Sequence, residues 1–202
     1  SNDGSFTIAR GTAWENISVP ISSGRDLQLL YFGSLAQVSK ENRSSLKTLL
    51  DRKPKYVLVD LNLRENCYTK QTIEDCLYYA TMLKVNEKEW NIVSEITGIN
   101  EPELLMRQKR LNAMAVTRGE NGATLYSAAG AIEFQPNTID LVDQTGAGDA
   151  FSALLAVGIL INAHPAQALA ASCQAGAVVA SKKGALVDLP RDILEAYKEE
   201  FS

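Results

Sequence analysis

The 202-residue sequence predicts an α/β protein with a mostly parallel central sheet. Two observations predict it. Short apolar runs alternate with longer amphipathic stretches through most of the chain, as in repeated βα units, and the last third changes to helices rich in alanine and other small residues. Phe6–Arg10 alternates polar and apolar residues like a half-exposed strand, and Leu27–Phe32 is a continuous apolar run closed by Gly33. Ser39 caps an expected helix Lys40–Leu50 that must end before Pro54. A second buried strand follows at Tyr56–Asp60, then a helix at Gln71–Ala80, a short strand at Met82–Val85, and a helix Glu87–Thr97 stopped by Gly98. Pro102 opens the next helix, Pro102–Leu111, which leads into the strand Ala113–Thr117. Ala123–Ser127 and Ala131–Phe134, joined through Gly130, read as a hairpin. The closing helices are Ala147–Ile161, Pro165–Lys182 and, after Pro190, Arg191–Phe201.

Composition narrows the function. Twenty Lys and Arg against 24 Asp and Glu give a net charge of −4, and no basic run occurs, which disfavours nucleic acid and anionic membrane as partners. The longest apolar stretch, Ala150–Ile161, is interrupted by Ser152 and too short to span a bilayer. Ser1–Arg10 lacks the charged and apolar regions of a signal peptide, and the three cysteines, Cys67, Cys76 and Cys173, form no CxxC pair. Both features point to a reducing cytoplasm and away from a disulfide framework or zinc site. The sequons at Asn16 and Asn42 are therefore read as chance matches. The single histidine, His164, excludes a histidine base or a multi-histidine metal site and reads as an exposed loop residue. Trp14 and Trp90 read as packing groups. The length suits one domain spanning 1–202, with no repeat and no evident linker.

In a parallel α/β sheet ligands lie at the carboxyl ends of the strands. That rule selects Asp60-Leu61-Asn62-Leu63-Arg64, Asn86-Glu87-Lys88-Glu89, Thr117-Arg118-Gly119-Glu120-Asn121-Gly122 and Asp143-Gln144-Thr145-Gly146-Ala147-Gly148-Asp149. The last carries the most chemistry. A glycine-rich turn opens directly into an apolar helix, so the amides of Ala147, Gly148 and Asp149 would face an anion, with the helix dipole adding to the attraction. Asp149 puts a carboxylate at the mouth of the same site, where it would repel a phosphate unless it has a proton to take. The competing dinucleotide turn, GxGxxG, requires glycine at Phe151 and an acid near Ala168–Ala171, and neither is present. The Walker pattern is absent as well. Asp149 also reads as a helix-capping acid, Asn86 with Glu89 as a capping box, and Gly119 with Gly122 as a turn between strands. Asp60, Asn62 and Arg64 read either as a loop network or as substrate-side groups.

Asp143–Phe151 resembles the C-terminal signature of the PfkB, or ribokinase-like, carbohydrate kinases. Asn86-Glu87-Lys88-Glu89 is similar to that family's NxxE motif, Thr117–Gly122 to its TxGxxG nucleotide loop, and Ser181-Lys182-Lys183-Gly184-Ala185 to the turn that closes its adenine pocket. All occur in family order. Asp60–Arg64 and the opening Phe6–Trp14 stretch are most similar to the fructokinase-like branch.

The resemblance implies a three-layer α/β/α domain whose N-terminal part is missing, with residues 1–20 as the remnant of a lid strand and its connection. It implies ATP-dependent phosphorylation of a sugar hydroxyl, fructose favoured, with Asp149 as base and the backbone of Gly146, Ala147 and Gly148 as anion hole. Asn86 and Glu89 would act on the phosphates and Mg²⁺, Glu89 through water. Thr117, Gly119, Gly122, Ser181 and Gly184 would line the ATP site, and Asp143 and Thr145 would help hold a monovalent cation such as K⁺. Gln144 departs from the threonine frequent at its position. A homodimer through the lid strand is a further implication. The alternatives are a non-catalytic nucleotide-binding or interaction fragment of the same fold, in which this chain alone is inactive, and, disfavoured by Phe151, an NAD-linked enzyme.

Overall fold

The computed structural model describes residues 8–9, 11–19, 26–195 and 197. The sheet runs β1 (Leu29–Gly33), β2 (Tyr56–Asp60), β3 (Met82–Asn86), β4 (Ala113–Thr117), β5 (Ala123–Ser127) and β6 (Gly130–Phe134), in that spatial order. The first four strands are parallel and the last two antiparallel. Helices α1 (Lys40–Leu50), α2 (Lys70–Tyr79), α3 (Glu87–Thr97) and α4 (Pro102–Lys109) make the crossovers, and α5 (Ala147–Leu160), α6 (Pro165–Ala180) and α7 (Arg191–Glu195) complete the chain.

Side-chain alternation sorts the helices between the two faces. Val57, Val59, Leu83, Val85, Met114 and Val116 point to one face and pack with Ile73, Leu77, Val93 and Leu105 of α2, α3 and α4. Leu58, Met82, Ala113, Ala115, Ala123 and Leu125 point to the other and pack with Phe151, Leu155, Leu169 and Cys173 of α5 and α6. The result is the expected three-layer α/β/α arrangement. The small residues of α5 and α6 allow a close crossing: a Cβ at Gly158 would come within 2.8 Å of Ala168 Cβ. Among the described residues no helix is long and apolar enough to cross a membrane, and the three cysteines are buried and free.

Most element boundaries fall within two residues of expectation. Ser39 accepts from the Asn42 amide to start α1, and Gly98, in the left-handed region, ends α3. Helix α2 starts one residue early because Thr69 and Thr72 form a reciprocal capping box. Helix α4 stops at Lys109 because Arg110 turns left-handed, with φ at 58°. His164 is exposed, as read, but it also caps α6 by accepting from the Ala166 amide. The strand expected at Phe6–Arg10 lies outside the described residues except for Ile8 and Ala9, which are not in a strand. The last helix is described over Arg191–Glu195; of its expected remainder to Phe201, only Tyr197 is described. Asn42 is 4% exposed and is no glycan acceptor. Its side chain accepts from the Ile17 amide and donates to the Trp14 carbonyl, both at 2.7 Å, fastening that segment to α1.

Candidate functional site

The selected segments gather at the carboxyl edge of the parallel strands. Helix α5 begins there without a side-chain cap, because its N-cap is Gly146. With φ at 83°, residue 146 favours glycine, and a Cβ would sit 2.8 Å from Ala185 Cβ, so the 181–185 turn presses against it. The Ala147 amide is not free, contrary to expectation: it donates to the Gln144 carbonyl at 3.2 Å, closing the turn. The amides of Gly148 and Asp149, early in the first turn, have no intrahelical acceptor and remain for an anion. Gly148 has a second neighbour that the sequence did not suggest. A Cβ there would point at Lys84 Nζ, 3.2 Å away, so the glycine makes room for a buried ammonium.

Asp149 is exposed and lines a cleft of about 250 Å³ with Trp14, Tyr31, Gly33, Leu35, Asp60 and Asn62. It is not the N-cap of α5, and it stands exposed at the cleft. Trp14, read as a packing group, is half-buried and lines the cleft, and Trp90 packs on the core.

Glu89 behaves differently. It is 4% exposed; its Oε2 accepts from the Asn86 amide at 2.8 Å and its Oε1 from the Leu63 amide at 2.9 Å, while Asn86 Oδ1 accepts from the Glu89 amide. The capping reading of this pair is thus realised, and Glu89 also ties α3 to the loop after β2. Burial raises the Glu89 pKa, opposed by the hydrogen bonds from Asn86 and Leu63 and by the charge of Lys84.

Thr117 Oγ1 reaches the Val85 carbonyl at 3.4 Å, and Gly119 starts a short 3₁₀ turn over Gly119–Asn121. A Cβ at Gly122 would collide with the Phe134 carbonyl oxygen at 2.0 Å, so that glycine serves the hairpin. Asp143 Oδ1 accepts from the Thr145 amide at 2.9 Å and Oδ2 from the Gly184 amide at 3.0 Å. These bonds, with one from the Thr145 side chain, hold the Asp143 pKa below its ordinary value and clip the α5 approach to the 181–185 turn. Ser181 Oγ donates to the Val178 carbonyl at the end of α6. The Asp143–Gly146 turn and the 181–185 turn therefore meet at the start of α5.

Sequence reading missed a polar cluster beneath that start. Asp60, left open between loop and substrate roles, is a strand residue 2% exposed, and Lys84 and Ser152, which contact it, were not singled out. A lysine inside the apolar run Met82–Val85 was the available signal, since lysine is almost never buried without a partner. Among the described residues no group of three or more His, Cys, Asp or Glu could hold a metal ion.

A mostly parallel sheet carrying an uncapped helix terminus and an exposed acid at its carboxyl edge is an arrangement suited to anion binding in α/β proteins. Comparison with known proteins makes the assignment specific. The family model described as pfkB family carbohydrate kinase matches residues 20–192, and the chain belongs to that family. Fructokinase of Escherichia coli is 27% identical over 191 residues, covering 87% of this chain and 61% of that protein. The crystal structure of aminoimidazole riboside kinase from Salmonella enterica, complexed with aminoimidazole riboside and an ATP analog, superposes with a TM-score of 0.69 at 25% identity, over 85% of this chain and 63% of that one. A double mutant of fructokinase from Vibrio cholerae O395, in fructose, ADP and potassium ion bound form, shares the fold with a TM-score of 0.71 at 24% identity, over 84% and 59%. The fold is ribokinase-like, and the chain spans about 60% of the length of the bacterial fructokinases it matches.

Proposed function

We propose that the protein containing this chain transfers the γ-phosphoryl group of ATP to a hydroxyl of a sugar or riboside, with fructose the favoured acceptor. One observation carries the reading: Asp149 stands exposed in the first turn of an uncapped helix and lines a cleft. The substrate oxygen bonds to the γ-phosphorus, the bond from that phosphorus to the β–γ bridging oxygen breaks, ADP leaves, and the hydroxyl proton passes to the Asp149 carboxylate. The Gly148 and Asp149 amides hold the migrating group, and with a loose transition state this positioning supplies most of the catalysis. Thr117, Gly119, Gly122, Ser181 and Gly184 line the nucleotide side, and Asn86 faces the phosphates.

The residues fit a magnesium ion that arrives with the nucleotide and not one held by a protein cage. Both Glu89 oxygens already accept backbone amides, so Glu89 would reach the ion through water, and phosphate oxygens would supply most ligands. When bound, the ion offsets charge on the phosphates. Asp143, whose pKa is lowered by hydrogen bonds from the Thr145 side chain and the Thr145 and Gly184 amides, and Thr145 itself are the groups we assign to a monovalent cation. The fructokinase relative and the fructose- and riboside-bound structural neighbours support the acceptor class.

The share of relatives covered favours a second reading for this chain in isolation: nucleotide binding without transfer. The test is acceptor-dependent ADP release with ATP and Mg²⁺ across fructose, ribose and nucleosides, run on this chain and on the longest polypeptide its gene encodes. The proposal expects release with at least one acceptor in the longer polypeptide. Nucleotide binding with no acceptor-dependent release in either would overturn it.

A further inference from the structure

Asp60 ends β2 with 2% of its surface exposed, and its partners come from three other elements. Lys84 Nζ on β3 is 3.0 Å from both carboxylate oxygens, Ser152 Oγ on α5 donates to Oδ2 at 2.8 Å, and the Tyr31 hydroxyl on β1 donates to the same oxygen at 3.3 Å. Strand register explains the first contact. Asp60 and Lys84 are partners in the β2–β3 ladder, so their side chains leave the sheet together on the face that α5 covers. Helical spacing explains the second: Ser152 follows Asp149 by three residues and lies on the same side of α5. The Lys84 ammonium then occupies the space that a side chain at Gly148 would need.

A salt bridge this deeply buried is weak evidence for stability, because desolvation offsets much of the attraction and apolar residues could fill the space. What the cluster adds is direction, because its hydrogen bonds hold only in one relative placement of the elements. A single carboxylate joins the first turns of α5 to β2 and β3 and orients the phenol on the cleft floor, whose pKa is raised by burial and by the charges of Asp60 and Asp149.

We infer that Asp60 is a positioning residue that, through Ser152 and Lys84, locks the first turn of α5, and with it Asp149, against the strand ends forming the cleft floor. The inference rests on the phosphoryl-transfer reading for its purpose, but its geometry can be tested separately. Ser152→Ala removes one hydrogen bond and leaves the Asp60–Lys84 pair, and alanine is the better helix former, so a purely local effect on α5 would protect its amides. The readout is hydrogen exchange at the Ala150 amide, which donates to the Gly146 carbonyl at 2.9 Å, against the Gly98 amide, which donates to the Ser94 carbonyl at 2.8 Å across the sheet.

Exchange at Ala150 is expected to speed up on the order of tenfold, the equivalent of one hydrogen bond to a charged group, with Gly98 unchanged and Ser152→Thr restoring protection. In the active polypeptide the same variant lowers kcat while the KM for ATP holds. Equal change at both amides, or none at Ala150, overturns the inference. Wild-type protein that releases no ADP refutes the kinase reading instead and leaves the exchange comparison intact.

Discussion

Helices α3 and α5 each carry an acid at the third position of the first turn, and the two acids end in opposite environments. In α3 the N-cap Asn86 and the acid Glu89 satisfy each other's amides, and Glu89 is buried with a second amide from Leu63. In α5 the N-cap is Gly146, with no side chain to offer, and Asp149 remains exposed beside a cleft. The same helix position thus holds a structural clamp in one case and an exposed, uncommitted carboxylate in the other. The N-cap residue decides which, because it either uses the terminal amides or leaves them for a ligand.

The largest expected effect separates the two acids by activity. Asp149→Asn should lower turnover by about 10²–10⁴-fold, the usual worth of a positioned base, while ATP affinity stays near wild type. Steady-state ADP release and calorimetric ATP binding check both halves. The reverse contrast appears in stability. Glu89→Ala leaves the Asn86 and Leu63 amides unpaired and should cost about 2–4 kcal/mol in urea unfolding. Asp149→Ala should cost no more than about 1 kcal/mol, the helix-dipole contribution of an exposed acid. Equal losses would erase the distinction between the two termini.

Gly148→Val should come next, weakening ATP binding about tenfold or more, because the new side chain displaces the Lys84 ammonium and disturbs the amides above it. Unchanged affinity would count against an anion at α5. The smallest effect is a pH dependence. Burial raises the Glu89 pKa in the folded chain, so its stabilising contribution is complete below the unfolded value near ~4.3 and is lost as pH rises through the folded value. Glu89→Gln cannot titrate. The stability of wild type relative to Glu89→Gln should therefore fall as pH rises from about 4. Asp143 works in the other direction: with its pKa lowered, its contribution is lost as pH falls through the folded value.

Local chemistry was legible in the sequence and tertiary partnership was not. The serine cap of α1, the glycine stop of α3, the proline starts of α4 and α6 and the hairpin through Gly130 are written in neighbouring residues, and the strands emerged as apolar runs. The placement of Asp149 in the first turn of α5 was legible for the same reason, since it depends on the turn immediately before it. The roles of Lys84 and Ser152 depend on the register of β2 with β3 and on where α5 lands, neither of which periodicity encodes. Asn42 was passed over as part of a chance sequon because its partners, Trp14 and Ile17, lie 28 and 25 residues away in the chain. The glycine at 148 was singled out for the approach of an anion; that a Cβ there would also come within 3.2 Å of Lys84 Nζ depends on tertiary placement.

The amide spectrum of the ¹⁵N-labelled chain titrated with ATP, and in parallel with adenosine, tests most directly whether phosphate is held at the start of α5. The account predicts that ATP shifts the Gly148 and Asp149 resonances strongly and that adenosine leaves them nearly in place. Saturable ATP binding that moves neither resonance would contradict it.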